Sequence, residues 1–343
     1  MAENQNRPAQ VPTRPWIQEV FHRVVQQWAE FAREFADCWS RLPNKAFFLG
    51  LLAAWLLLFQ FLGNATFGYV DTSSLFQWMY VAYKGNDWEE GHGLLIPIAV
   101  LALLWWKRPQ LLALKTRVWW PALILLAGAL FLHILGYLVQ QPRISIISLY
   151  FGVYALMGLA WGPAWMRVSF FPMFLFIFCI PFATLGAPVT TVTFYMRIFV
   201  AKVVAGIGVH LMGMDVVRTG TQLSNATQHY GYDVAAACSG LRSTFAILAL
   251  STVYAFVSFD KNWKRLIMVA SACPLAMLGN TARMMGILIA AEYGGQHTGD
   301  FVHENIFFSL LPYVPAFIGL MALGYWLRER PTPPPQIAAP APV

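Results

Sequence analysis

The chain has 343 residues, 58% hydrophobic and only 11% charged, with a mean hydropathy of +0.54. A soluble domain carries roughly 25% charged residues, so a soluble globular class is excluded. The net charge of +7 sits in loops, which fits membrane topology and argues against a nucleic-acid partner. Apolar residues fall in runs of about 16 to 25, the length that crosses a bilayer core as helix. The fold class expected is all-α: a polytopic integral membrane protein of about eight transmembrane helices plus an amphipathic N-terminal interfacial helix.

Residues 1–14 are polar and proline-containing and read as disordered. No cleavable signal peptide stands out, so the first spanning helix is expected to act as an uncleaved signal. The pattern changes over 15–45. Trp16, Val20, Val24, Trp28, Phe31, Phe35 and Trp39 recur every three to four residues, and Gln26, Glu30, Arg33, Glu34 and Asp37 lie elsewhere on the wheel. That predicts a helix in the plane of the membrane interface; a partner-docking helix is the alternative. Spanning segments follow at 46–62, about 92–106, 118–139, 144–160 and 168–185, the last with Pro172 and Pro181 inside. Residues 189–214 carry Arg197 and Lys202 and read as an amphipathic surface helix or a further span. Residues 219–233 read as a loop or short hairpin. Three more segments lie at 235–259, 266–291 and 306–326. The membrane domain is thus 46–327, and the proline-rich stretch 328–343 is expected to be an extended, disordered tail.

Eight spans put both termini on one side. The N-terminal region and the loops on that side hold sixteen lysines and arginines, and the opposite loops hold five. The positive-inside rule then places both termini in the cytoplasm. Cysteines 38, 179, 238 and 273 show no metal-type spacing, and a disulfide framework is not expected.

Candidate chemistry centres on Ala237-Cys238-Ser239-Gly240-Leu241-Arg242-Ser243, which opens the sixth segment. A thiol about one turn inside a helix start meets backbone N–H groups that favour the thiolate. Arg242, four residues on, lies on the same face. Small neighbours leave room for a substrate backbone. For an isolated Cys in an apolar helix, simple packing is the competing reading. Arg283, in Asn280-Thr281-Ala282-Arg283, lies within the seventh segment, where a charge costs roughly 2.5 to 3.5 kcal/mol at the bilayer centre. No Asp or Glu lies within the sixth or seventh segment proper to pair with it, and Asn280 shares its face. His303 is expected at the outer start of the eighth segment, level with Cys238. His297 in a glycine-rich loop is its rival. Cys, Arg and His from three successive segments suit acyl transfer. The thiolate attacks a carbonyl, His303 serves as general base and then acid, and Arg283 stabilises the oxyanion. Arg242 either contacts oxyanion or substrate, or lowers the thiol pKa.

At these residues the chain resembles the exosortase/archaeosortase family of membrane transpeptidases. Four pieces carry the resemblance: Gly91-His92-Gly93-Leu94-Leu95-Ile96-Pro97, the Cys238-Ser239-Gly240 stretch with Arg242, Asn280-x-x-Arg283, and Phe301-Val302-His303. It covers roughly 46–327 and leaves out the amphipathic helix and the tail. Where family members often carry a glycine a few residues after the final His, this chain has Asn305-Ile306-Phe307-Phe308. The resemblance implies a multi-pass enzyme of the bacterial cytoplasmic membrane, with its site on the extracytoplasmic side. Its partners would be membrane lipid and exported proteins bearing a C-terminal signal of short motif, transmembrane helix and basic cluster. No metal or organic cofactor is called for. Arg242 and Arg283 also suit a transporter or flippase that binds an anionic headgroup, against which stands the lack of an internal repeat. A lipid or sugar acyltransferase and a polysaccharide-assembly protein are further alternatives.

Overall fold

The computed structural model describes residues 15–64, 71–84, 91–181, 187–227, 229–233, 241–310 and 313–328. The expected disordered ends, 1–14 and most of 328–343, fall outside the described residues. In chain order the helices are α1 (Pro15–Arg41), α2 (Lys45–Leu62), α3 (Leu75–Lys84), α4 (Ile96–Trp106), α5 (Arg108–Leu112), α6 (Ala122–Leu138), α7 (Pro142–Trp161), α8 (Pro163–Phe174), α9 (Ala187–Met212), α10 (Leu241–Ser258), α11 (Asn262–Ala270), α12 (Ala272–Glu304), α13 (Ile306–Ser309) and α14 (Tyr313–Trp326). Between α9 and α10 lies a three-stranded antiparallel sheet, β1 (Val216–Thr219), β2 (Gln222–Asn225) and β3 (Gly231–Asp233), in the order β1-β2-β3. The protein is a multi-pass, mostly helical membrane protein. Among the described residues, four stretches are long and apolar enough to cross a membrane, and five shorter apolar helices accompany them.

Lipid tails are as apolar as Leu, so helices in a bilayer associate through fit and polar ties rather than hydrophobic exclusion. The half of the bundle built from α2 to α8 shows both. Phe59, Leu75, Ile146, Leu149 and Leu175 are fully buried in one cluster. Trp55 Nε1 donates to the Leu149 carbonyl at 3.0 Å, Ser148 Oγ to the Ala129 carbonyl at 2.6 Å, and His133 Nδ1 lies 3.1 Å from Ser145 Oγ. The expected fifth segment is α8 followed by a 3-10 turn, Leu175–Cys179. Pro172, which lacks an N–H, sits just before that tightening. A second cluster joins α10, α11, α12 and α14 around Met268, Ala272, Ala276, Ala316 and Leu320. A third joins α9, the sheet and α12 around Val204, Leu223, Met284, Ile287 and Leu288.

One end of the bundle collects positive charge. Trp161 Nε1 at the end of α7 donates to the Pro43 carbonyl, and Lys107 Nζ after α4 to the Val168 carbonyl at 3.0 Å. Arg108 Nη2 meets Glu34 Oε2 of α1 at 2.6 Å. Burial, and then the neighbouring Arg265, pull the Lys107 ammonium below the ordinary lysine range. Lys264 Nζ, after α10, donates to the Leu327 carbonyl past α14 at 2.7 Å. The opposite end carries the sheet and the 3-10 turn Gly91–Leu94. Helix α1 lies against the basic end through Phe31 and Phe35, whose rings sit 5.0 and 6.1 Å from Trp105. The rest of its apolar face is exposed, Phe21 and Trp28 by about two thirds each.

Residues 189–214, read above as a surface helix or a span, form α9. Phe194–Met212 has the length and composition to cross a membrane. Its path is constrained, however. Arg143 Nε at the α7 N-terminus donates to the Pro181 carbonyl at 2.9 Å, which puts Pro181 at the sheet end. Helix α9 starts six residues later, a reach of at most about 21 Å, and it ends at the sheet. A bilayer core is about 30 Å thick.

Candidate active site

Helix α12 carries two of the three residues expected to do chemistry. In a straight helix Arg283 and His303 would stand about 30 Å apart. Instead, Arg283 Nη2 donates to the His303 backbone carbonyl at 3.1 Å. The break is Gly295, with φ 76° and ψ 175°, a region essentially reserved for glycine. Past it the chain runs back along the arm it came from. Gly299 lies so close to that arm that a Cβ there would stand 2.8 Å from the Ala291 Cβ and collide with the Tyr232 hydroxyl. Val302 joins Met284, Ile287 and Leu288 in one buried cluster.

This differs from the sequence expectation. His303 was expected at the start of the eighth segment; it lies at the end of the folded-back arm, and α14 begins only at Tyr313. The apolar pattern stops near Ala291, and periodicity says nothing about the direction the chain takes afterwards. His297 was expected in a loop. It lies on the same return arm, exposed, whereas His303 is half-buried. The His303 ring stands 6.4 Å from the Tyr232 ring, tilted by 30°. Asn280 is 3% exposed, one turn before Arg283.

His92 belongs to the same end of the bundle. Its 3-10 turn is held by Cys179, whose thiol donates to the Gly93 carbonyl at 3.6 Å, and by the Tyr83 hydroxyl, which donates to the Cys179 carbonyl. The imidazole stacks on Phe245 of α10, with centroids 6.2 Å apart and planes at 11°. Cys238 and Ser239 lie outside the described residues, as does the side chain of Arg242, whose backbone opens α10. In sequence, Cys238 comes five positions after Asp233 at the end of β3 and three before Leu241.

Sequence reasoning missed the sheet's hold on α12. Tyr230 Oη donates to Glu292 Oε2 at 2.7 Å, and Asn225 Nδ2 to the same oxygen at 3.3 Å. The Gly231 amide donates to Gln296 Oε1 at 3.1 Å, and Tyr232 Oη to the Gln296 carbonyl at 3.1 Å. Gln296 Nε2 continues to Asp300 Oδ1 at 2.9 Å. The signal was present as the alternation Tyr230-Gly231-Tyr232 beside a glycine pair, Gly294-Gly295, a strand next to a break.

A family model of transmembrane exosortases (EpsH) matches residues 84–322, well over half of the chain. The chain belongs to the transmembrane exosortase family. No curated protein and no solved structure matches it. The exosortase match runs from the end of α3 into α14, so it takes in His92, Cys238, Arg283 and His303 and leaves α1 outside. In this exosortase, three of the four motif pieces, those at His92, Arg283 and His303, lie toward the sheet end of the bundle, and the fourth, at Cys238, lies outside the described residues.

Proposed function

We propose that this exosortase is a membrane cysteine transpeptidase or protease that removes C-terminal sorting signals from exported proteins. The observation that carries the reading is the 3.1 Å contact between Arg283 and the His303 carbonyl. It seats a fixed cation beside the residue that bears the imidazole, twelve residues before a turn that separation in sequence hides. A guanidinium presents a rigid fork of donors, and one anchored by a carbonyl is preorganised for an oxyanion.

The chemistry follows from the side chains. His303 takes the Cys238 proton, and the thiolate attacks the scissile peptide carbonyl carbon. The carbonyl π electrons move to oxygen, and Arg283 stabilises that charge; Arg242 adds a second positive charge or favours the thiolate. The oxyanion collapses, the C–N bond breaks, and His303 returns its proton to the leaving amine. A thioester remains on Cys238. Water or an amine or hydroxyl acceptor attacks it, His303 receives that nucleophile's proton, and the proton returns to the departing thiolate. His92 and Asn280 support the pocket wall, and Ser239 flanks the nucleophile.

The basic end of the bundle takes the cytoplasmic side by the positive-inside rule, which turns the sheet and the His303 arm outward. Helix α9 is read as entering and leaving at that outer face, as its short connection from Pro181 requires. A substrate helix in the bilayer then presents its outer end to Cys238 by lateral approach.

The test compares intact masses of membrane and exported proteins in cells carrying wild type or Cys238→Ala. The expected result is a set of proteins that lose their C-terminal helix in the wild type alone, with the new end showing addition of water or an acceptor. Identical C-termini in both strains, with the variant expressed and folded, would sink the reading.

A further inference from the structure

We infer that strand β3 positions the catalytic groups, with Tyr232 acting through His303 to hold it in register with the nucleophile. This rests on the proposed roles of Cys238 and His303. The observations behind it are independent of those roles. Strand β3 and the residue just before it touch both arms of the folded α12: Tyr230 reaches Glu292 before the turn, and Gly231 and Tyr232 reach Gln296 after the turn. The hold is buried. Tyr230 is 3% and Tyr232 7% exposed, packed with Ala291 and Val302 from the two arms. The Tyr232 ring neighbours His303, and Gly299 is the one residue type that lets its hydroxyl reach the helix.

The same strand leads into Cys238 five residues later. Thiol and imidazole are therefore tied to one short piece of backbone, one covalently and the other by hydrogen bonds and packing. A shift of about 1 Å in a reacting group can cost on the order of 100-fold in rate, so loosening β3 is expected to act on chemistry before it acts on folding.

The experiment uses the full-length enzyme in detergent and in cells. Cys238 alkylation by iodoacetamide at pH 7 is followed by peptide mass, beside C-terminal processing and thermal unfolding. Tyr232→Phe keeps the ring and removes the donor. It is expected to slow processing about tenfold and alkylation several-fold, with the unfolding midpoint lowered by only a few degrees. Tyr232→Phe combined with His303→Ala is expected to alkylate no more slowly than His303→Ala alone, because both act at one point. Gly299→Ala, which drives the tyrosine aside, is expected to slow processing and alkylation as Tyr232→Phe does and to lower the unfolding midpoint as well, because the new Cβ also meets the Ala291 Cβ. Arg218→Ala, exposed on β1 with its guanidinium on the Gly220 carbonyl, is expected to behave as wild type. Wild-type processing in both Tyr232→Phe and Gly299→Ala, or multiplicative alkylation losses in the double variant, would overturn the inference. Retained processing in Cys238→Ala is a different result: it removes the thiol chemistry itself.

Discussion

Arg283 reaches the backbone carbonyl of His303 across a turn in its own helix, 3.1 Å apart at a separation of twenty residues. The contact makes the guanidinium a strut between the two arms of α12, beside its proposed role towards the oxyanion. Arg283→Lys keeps the charge and loses the planar fork. Processing is expected to fall at least tenfold, with a shift of only a few degrees in the unfolding midpoint. Wild-type processing in this variant would remove Arg283 from the oxyanion role.

Gly295 is where that geometry is made. Its φ of 76° and ψ of 175° are a strained combination for any residue with a Cβ, of order 1–3 kcal/mol. Gly295→Ala is expected to destabilise the protein by about that amount and to lower processing as well, because the return arm carries His303. Calorimetry of the purified protein beside the mass assay separates the two effects. A variant with full stability and full processing would show that the turn tolerates a side chain.

The sheet's hold on α12 has a pH signature. Burial first, and then the Glu292 carboxylate, push the Tyr230 phenol above the ordinary tyrosine range. The neutral phenol is thus the form the fold prefers. Its contribution is fully present below the unfolded value of about 10 and is lost as pH rises through the folded value. The unfolding midpoint is expected to decline above about pH 10, and to decline less in Tyr230→Phe. Parallel curves for the two proteins between pH 8 and 11 would remove Tyr230 as the cause.

Helix α1 leaves Phe21 and Trp28 exposed while Phe31 and Phe35 lie on Trp105 at the basic end. Trp105 is the next-to-last residue of α4, and an exposed apolar face on α1 suits the bilayer interface expected from its sequence pattern. Nitroxide labels on Phe21→Cys and Trp28→Cys are expected to be accessible to oxygen in liposomes. Labels on Arg23→Cys and Glu30→Cys are expected to be accessible to an aqueous nickel chelate. Aqueous accessibility at all four positions would favour the partner-docking alternative.

Much of the bundle was legible because hydropathy is a local property. The expected segments fall, among the described residues, on four stretches long and apolar enough to span and on shorter apolar helices, with ends displaced where the rule meets something non-local. The fifth segment splits into α8 and a 3-10 turn after Pro172. The seventh, expected to stop at Ala291, continues through Gly295 to Glu304 because the return arm is helical too. Helix α9, left open between a surface helix and a span, has the composition of a span over Phe194–Met212, while only six positions connect it to Pro181.

The types and order of the candidate catalytic residues were also legible. Cys238 with a nearby Arg242, a charged Arg283 in an apolar segment, and a downstream His303 can all be found by scanning for polar residues where lipid makes them costly. The sequence favoured His303 and kept His297 as its rival, since both lie in one short polar stretch. The turn at Gly295 is what sets one half-buried beside Arg283 and leaves the other exposed.

By itself, then, the sequence determined that this is a multi-pass helical membrane protein, where its apolar helices lie, and which residues are available for chemistry. These follow from composition and periodicity, which each segment carries alone. The tertiary structure decided which way α12 turns after Gly295, that a three-stranded sheet grips both of its arms, and that Arg283 and His303 meet. Those outcomes depend on how Tyr232, Gly299 and Ala291 fit together, and fit is a property of surfaces brought together from distant parts of the chain.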